Sequence, residues 1–563
     1  MRTVRAELTT LFQQAGQKAF PDSQEPIEIV QSTHLQFGHY QCNVAMKIGK
    51  AVKMAPRAVA EKLGAHLPPN TWIEKWDIAG PGFINITLSN AALEKHLQTP
   101  TPFAAQHQRV VVDFSSPNTA KEMHVGHLRS TIIGESIARV FEYLGFDVLR
   151  LNHIGDWGTS FGMLIAWIKT LPPGSLEKAS LADLMQWYKA SKNTFDADPV
   201  FKKSAQLEVV ALQGGDPVSK KMWEQICAIS RAAYQEIYEL LDVRQVERGE
   251  SFYNPLLEGI VQDLEKKGLV TLSDGAKCVY LEGFVNREGE SLPLMIQKSD
   301  GGYNYDTTDM AALKHRVQVE KANRIIYVTD AGQATHFAMV FEAGKKAGYY
   351  DPSRVRLDHV GFGLVLGTDG KKFRTRSGET EKLVDLLQAA ITKADTILQE
   401  RNADLPADER HALAKALGLG AIKYADLSCH RMSDYVFSYD KMLRFEGNTA
   451  AFMMYAYVRV LGIKRKIPDA KPGPVTLTHP SEITLAVQII QFPEALESVA
   501  NDLLPNRLTD YLYTLAERFH AFFRDCRVEG SLEQGSRLTL CEMTAATLKQ
   551  GLHFLGISTV EKM

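Results

Sequence analysis

The chain has 563 residues, 45% of them hydrophobic and 23% charged, and a net charge of −2. That length exceeds a single core and implies about three domains, and the composition excludes a fibrous or disordered chain. No apolar run approaches the ~20 residues that cross a bilayer, and a near-neutral chain must hold any polyanionic partner by local basic patches rather than by its overall field.

The first residues, MRTVRAELTTLFQQAGQ, show amphipathic helical spacing and no secretory apolar region, so a cytoplasmic protein is expected. QCNVAMKIGKAVKMAPRAVAEKL reads as helix, with apolar positions at Val44, Ile48, Val52, Ala58 and Leu63. WIEKWDIAGPGFINITLS alternates like two strands joined at Gly80-Pro81-Gly82. These elements predict a separate α/β unit over 1–107, ending in the Pro- and Gln-rich stretch from Thr99. The six cysteines, Cys42, Cys227, Cys278, Cys429, Cys526 and Cys541, have no CxxC spacing, which argues against a disulfide framework and a zinc knuckle.

The stretch Val110 to Asn152 is the organising element. Val110, Val111 and Val112 lead to Phe114 as a buried strand would, and Ser115, Ser116, Pro117 and Asn118 form a turn cluster. His124-Val125-Gly126-His127 follows, then Leu128, Ile132, Ile137, Val140, Phe141 and Leu144 at helical spacing up to Gly145. Val148, Leu149 and Leu151 restart a strand. The result is a β-α-β unit whose first strand-to-helix junction carries two imidazoles, and such junctions bind ligands in doubly wound sheets. On its own the four-residue pattern supports only an anion at a helix N-terminus, with Gly126 leaving room for backbone approach. A zinc site would need further ligands, and no cysteine lies nearby.

Residues 108–447 alternate strand and helix patterns and predict a mostly parallel sheet with helices on both faces. A polar helical insertion falls near 170–250, and strand candidates resume at KCVYLEGF, NRIIYVTD and VRLDHVGFGLVLG. Next comes Gly367-Thr368-Asp369-Gly370-Lys371-Lys372-Phe373-Arg374-Thr375-Arg376-Ser377-Gly378, readable either as a solvated basic loop or as a mobile clamp on polyphosphate. From Leu383 the pattern is almost wholly helical. In NTAAFMMYAYVRVLGIKRK, Phe452, Tyr455 and Tyr457 interleave with Arg459, Lys464, Arg465 and Lys466. That pattern suits core aromatics with a basic helix end, or stacking on unpaired bases with phosphate neutralisation. A P-loop and HExxH are absent, and Gly361-Phe362-Gly363 misses the dinucleotide spacing.

An HxGH element paired with a late Lys/Arg-Ser loop resembles the signature of class I aminoacyl-tRNA synthetases. SSPNTAKEMHVGHLRSTIIGE, GESFYNP, IQKSDGGYNYDTTDMA, GLGAIKYADLS and FEGNTAAFMMYAYVRVLGI resemble the arginyl-tRNA synthetase family more closely still, and GHYQCNVAM and AGPGFINI resemble its N-terminal domain. The resemblance spans almost the whole chain, and the KMSKS-type loop is degenerate here, as it is in the family. It implies a Rossmann-like doubly wound catalytic domain, an α/β N-terminal tRNA-contacting domain (1–107) and an all-α DALR-type anticodon-binding domain (448–563).

The family implies arginine–tRNA ligase activity with ATP, L-arginine and tRNA(Arg) as substrates, Mg²⁺ shared by the phosphates without a dedicated protein metal site, and a monomer. His124 and His127 would stabilise the reacting phosphoryl group; His124, Gly126, His127, Lys372, Arg374 and Arg376 would hold ATP, with Lys372 and Arg376 on the departing pyrophosphate. Glu250 and Asp309 would pair with the guanidinium and Tyr305 would pack on it. Asn118 would hold the amino-acid ends, and Gln333 would add a contact, with His336 nearby. Tyr455 and Arg459 would touch tRNA. The family also implies a need for tRNA before amino-acid activation. Two other readings compete: a small-molecule HxGH nucleotidyltransferase, which would lack the 448–563 helices, and a silent RNA-binding relative, which would have lost a histidine or the basic loop.

Overall fold

The valine run Val110–Val112 is fully buried because its strand, Arg109–Asp113, lies at the centre of a five-stranded sheet. In this computed structural model, which describes residues 3–99, 103–286, 288–373 and 381–563, the order across the sheet is Arg356–His359, Arg324–Tyr327, Arg109–Asp113, Asp147–Asn152, Val246–Glu247. Every pairing is parallel, with Val111 opposite Ile325 on one side and Leu149 on the other. The chain runs outward from the central strand in one direction, then returns to its other side. That reversal leaves a crevice at the carboxyl ends of Arg109–Asp113 and Arg324–Tyr327, where α/β sheets bind ligands.

The helix Val125–Tyr143 is buried along most of its length. It passes so close to the first strand's end that a Cβ on Gly134 would lie 2.3 Å from the Phe114 ring. Arg129, on the same helix, is 1% exposed. Its guanidinium pairs with Asp426 at 3.0 Å, donates to the Gly363 and Ser433 carbonyls, and stacks over Tyr435. It therefore ties the helix to the strand Val365–Leu366, which pairs with Tyr435–Val436 and leads into the basic loop.

Two sequence expectations change. KCVYLEGF does not join the parallel sheet; Ala276–Val285 sits between Thr271–Ser273 and Ser291–Gln297 in a separate antiparallel sheet. Its close apolar run reads the same whichever sheet it enters. The single helix expected over 41–63 is instead a strand end followed by two helices, Ala45–Val52 and Pro56–Ala65. Lys53 adopts the left-handed conformation (φ 54°), and Pro56, which cannot continue a helix, starts the next one. The turn at Gly80-Pro81-Gly82 joins Ile73–Ala79 to Phe83–Leu88 antiparallel, as expected. The insertion forms the helices Leu181–Ala197, Pro199–Gln213 and Pro217–Leu240, whose Leu184, Leu212 and Ile226 share one apolar cluster with Phe161, Leu164 and Ile165 of the helix Thr159–Ile168.

Two compact units result. One contains 105–443 with 554–557; the other combines 1–104 with 444–553 and 558–563. Within the second unit, the two ends of the chain meet at Glu494, which is 1% exposed. Its carboxylate accepts from the Arg5 backbone N–H (2.9 Å), the Tyr40 hydroxyl (2.8 Å) and the Gln31 amide (2.9 Å). Glu494→Ala should strand these donors and cost about 1–3 kcal/mol, read as a lowered unfolding midpoint; an unchanged midpoint would remove its docking role. All six cysteines are free. Among the described residues, no helix is long and apolar enough to cross a membrane.

Candidate functional site

After the first strand the backbone turns sharply. Ser115 and Ser116 both adopt positive φ (76° and 49°), a conformation costing serine roughly 1–2 kcal/mol each. Four hydrogen bonds hold it: Ser115 N–H to Ser130 Oγ, Ser115 Oγ with the Tyr238 hydroxyl, Ser116 N–H to Asn152 Oδ1, and Ser116 Oγ to Asp113. The strained turn delivers Asn118, exposed beside Gly155, and then the histidines.

His124 caps the helix. Its Nδ1 accepts the Gly126 N–H at 3.0 Å, and His127 Nδ1 accepts the His124 N–H at 3.0 Å. A Cβ on Gly126 would press within 2.9 Å of the His124 ring, so glycine makes room for the imidazole that caps it. Because both Nδ1 atoms accept, the neutral rings carry their protons on Nε2, facing away from the backbone. Burial, then the Lys372 charge, depresses His124 below the usual histidine range; burial, then His124 and Lys121, pushes His127 down to about 3. Both imidazoles are thus neutral N–H donors at pH 7. The Lys372 effect also shows that the basic loop's lysine lies near the first histidine. Lys372 bridges to Leu366, and the Phe373 N–H donates to Val365, which sets the loop's start against its strand. Arg374 and Arg376 lie outside the described residues.

A second cluster is acidic. The helix Tyr305–Gln318 brings Asp306 and Asp309 to one face at a three-residue spacing. Glu250 opens the helix Glu250–Lys266, whose next residue, Ser251, donates backbone and hydroxyl hydrogens to Asp156 (2.8 and 2.6 Å). Burial, then the charges of Asp309 and Asp156, raises Glu250 to about 8. Asp309 behaves oppositely: burial resists its ionisation, but the His336 hydrogen bond and the charges of His153, His336 and Arg316 hold it below the usual carboxylate range. His336 touches Asp309 at 2.6 Å through Nε2 and Asp306 at 3.2 Å through Nδ1. Burial works against its charge, but the two carboxylates prevail and raise it to about 9. Tyr305, 59% exposed, sets its ring edge-on to His336 at 5.0 Å. Gln333 is exposed at the N-cap of the same helix, Ala334–Lys346.

The sequence placed His336 beside Gln333 without a role, and it missed His153, Arg316 and Arg129. His153 stacks on Tyr253 (5.4 Å) and meets Arg316, which pairs with Asp113 at 2.8 Å in the core. Its position directly after the buried strand Asp147–Asn152 was the available signal. Among the described residues, no group of three or more His, Cys, Asp or Glu is arranged to hold a metal.

In the helical unit, Tyr455 is 40% exposed, and Arg459 lies over both its ring (4.5 Å) and that of Phe523 (5.0 Å). A groove of about 450 Å³ opens beside them, with Lys466, Arg524 and Arg527 on its walls. Tyr457 is buried in the core, and Phe452 packs against Tyr513 and His520. The interleaved aromatics therefore divide, and one of the three is available to a ligand.

The parallel sheet, its capped histidine pair and the neighbouring basic loop define a class I aminoacyl-tRNA synthetase. A family model described as "tRNA synthetases class I (R), catalytic domain" matches residues 87–439; an arginyl-tRNA synthetase N-terminal domain matches 6–88, and a DALR anticodon-binding domain matches 453–563. The chain is 60% identical to an arginine–tRNA ligase of Protochlamydia amoebophila and 51% identical to one of Chlamydia caviae, each over 100% of both chains. The arginyl-tRNA synthetase of Plasmodium falciparum superposes with a TM-score of 0.88 at 35% identity, covering 100% of both chains. The chain belongs to the arginyl-tRNA synthetase family.

Proposed function

We infer that this chain is an arginine–tRNA ligase: it activates L-arginine with ATP to arginyl-adenylate and transfers the arginyl group to the 3′ end of tRNA(Arg), releasing AMP and pyrophosphate. The observation that carries the substrate choice is the acidic cluster of Glu250 and Asp309 in the catalytic unit, since a guanidinium demands carboxylates. In this reading the arginine carboxylate attacks the ATP α-phosphate in line. His124 and His127 donate Nε2–H to its oxygens as charge develops, beside Gly126. Lys372, with Arg374 and Arg376, neutralises the leaving pyrophosphate, and Mg²⁺ arrives with the phosphates. Asn118 holds the amino-acid ends and Gln333 adds a further contact, while Tyr305 walls the side chain. The mixed anhydride is then opened by a terminal ribose hydroxyl, the 2′-hydroxyl by class resemblance, and AMP leaves.

The three-part division into 1–107, 108–447 and 448–563 assigns tRNA elbow contact to the first part and anticodon contact to the last. Tyr455 offers a stacking face there and Arg459 a cation. We take the protein as a cytoplasmic monomer, checked by light scattering on the purified chain.

One assay decides the reading: charging of tRNA with radiolabelled arginine, run beside ATP–pyrophosphate exchange with and without tRNA. Absence of charging by pure protein overturns it. Exchange without tRNA leaves the ligase intact and removes the tRNA requirement.

The raised Glu250 gives a pH prediction. Below about 8 its carboxyl is protonated in the empty pocket. A bound guanidinium favours the ionised form, so binding releases a proton. Arginine affinity should therefore strengthen by up to about tenfold per pH unit from 6 to 8 and level off above. Calorimetry in buffers of different ionisation enthalpy measures the released proton; Glu250→Gln should abolish the release. A release persisting in that variant assigns the titration elsewhere.

A further inference from the structure

We propose that His336 is the positioning residue of the arginine pocket: clamped between Asp306 and Asp309, it fixes the Asp309 carboxylate, leaves one oxygen for the guanidinium, and supplies the cation that sets the pocket's charge. The proposal rests on the assignment of Asp309 to arginine. Its basis is geometric. Both ring nitrogens face carboxylate oxygens, at 2.6 Å and 3.2 Å, and a carboxylate only accepts. Both nitrogens can donate at once only in the imidazolium.

The clamp is anchored at its far side. The other Asp306 oxygen accepts the Met295 N–H at 3.1 Å, and Thr307 donates to the Ile296 carbonyl, so the acidic helix is pinned to the strand Ser291–Gln297. A continuous chain then runs from the Met295 backbone through Asp306 and His336 to Asp309. The His336 side chain is 12% exposed and that of Asp309 is 17% exposed, so the pair is largely shielded while Asp309 keeps an open side. His336 lies in the first turn of its helix, where the backbone dipole disfavours a cation. A side chain chosen only to cap that helix would not be an imidazolium; two carboxylates are needed to keep it there.

The charge count explains the arrangement. In the empty pocket, where Glu250 is protonated, Asp306 and Asp309 bring two negative charges and His336 one positive, leaving a single negative charge to meet the guanidinium before Glu250 ionises on binding. Removing the imidazolium releases Asp309 to rotate and confronts it with the like charge of Asp306.

The test uses the full chain in ATP–pyrophosphate exchange with tRNA present. His336→Ala should raise KM for arginine at least about tenfold and leave KM for ATP within about twofold, the split expected when a ligand contact is mispositioned. His336→Gln keeps a donor toward Asp309 without the charge and should recover part of the loss. Asp306→Asn, which weakens the anchor, should move the same parameter by less. Thermal unfolding of each variant reports folding. An unchanged KM for arginine in His336→Ala overturns the proposal; so do equal rises in both KM values with a lowered midpoint, which describe a purely structural residue. Wild-type protein that fails to use arginine refutes the substrate assignment before any variant is compared.

Discussion

Changing His127 to alanine is expected to slow adenylate formation roughly 10²-fold or more, the usual loss when a preorganised transition-state donor is removed. The side chain does two things. Its Nε2–H faces away from the backbone, and its Nδ1 accepts the His124 N–H at 3.0 Å. Alanine deletes the donor and also unties the backbone that aims the first histidine. Since burial and then the neighbouring charges push His127 down to about 3, the ring is already neutral throughout the physiological range. The rate should therefore show no limb attributable to this imidazole between pH 6 and 9. ATP–pyrophosphate exchange measures both effects; near-normal turnover in the variant would refute the role.

Asp309→Ala should act on the other substrate. The carboxylate is held ionised against its burial by the His336 hydrogen bond and by the charges of His153, His336 and Arg316. Its loss removes the guanidinium's partner and leaves the His336 imidazolium with Asp306 alone. Removing one member of a buried pair costs about 3–5 kcal/mol, so kcat/KM for arginine should fall by roughly 10²-fold to 5 × 10³-fold, at 1.36 kcal/mol per tenfold. KM for ATP should stay close to wild type. An unchanged arginine affinity would show that the guanidinium is bound elsewhere.

The sequence exposed what is written locally. Val110 to Val112 announced a buried strand, the Ser-Ser-Pro-Asn cluster a turn, and the two histidines a helix N-terminus; all three stand in the structure. Periodicity could not separate a parallel strand from an antiparallel one, so KCVYLEGF was assigned to the wrong sheet. The break at Lys53 was hidden because helical apolar spacing continues on both sides of it. His336 and Arg129 were invisible for a different reason. Their partners, Asp309 and Asp426, lie 27 and 297 residues away in sequence, and only the fold creates the pairs. The resemblance to the synthetases named Glu250 and Asp309; the structure adds the imidazolium between Asp306 and Asp309.

Glu494 carries a consequence for biosynthesis. Its partner Arg5 precedes it by 489 residues. A ribosome adding ~5–20 residues per second needs on the order of 25 to 100 s to cover that distance. Throughout that interval the N-terminal segment exists without the surface that Arg5, Gln31 and Tyr40 dock onto, while the whole catalytic segment emerges behind it. The last quarter of translation thus completes the first domain made, and a chain truncated before Glu494 would expose that docking face to chaperones and proteases.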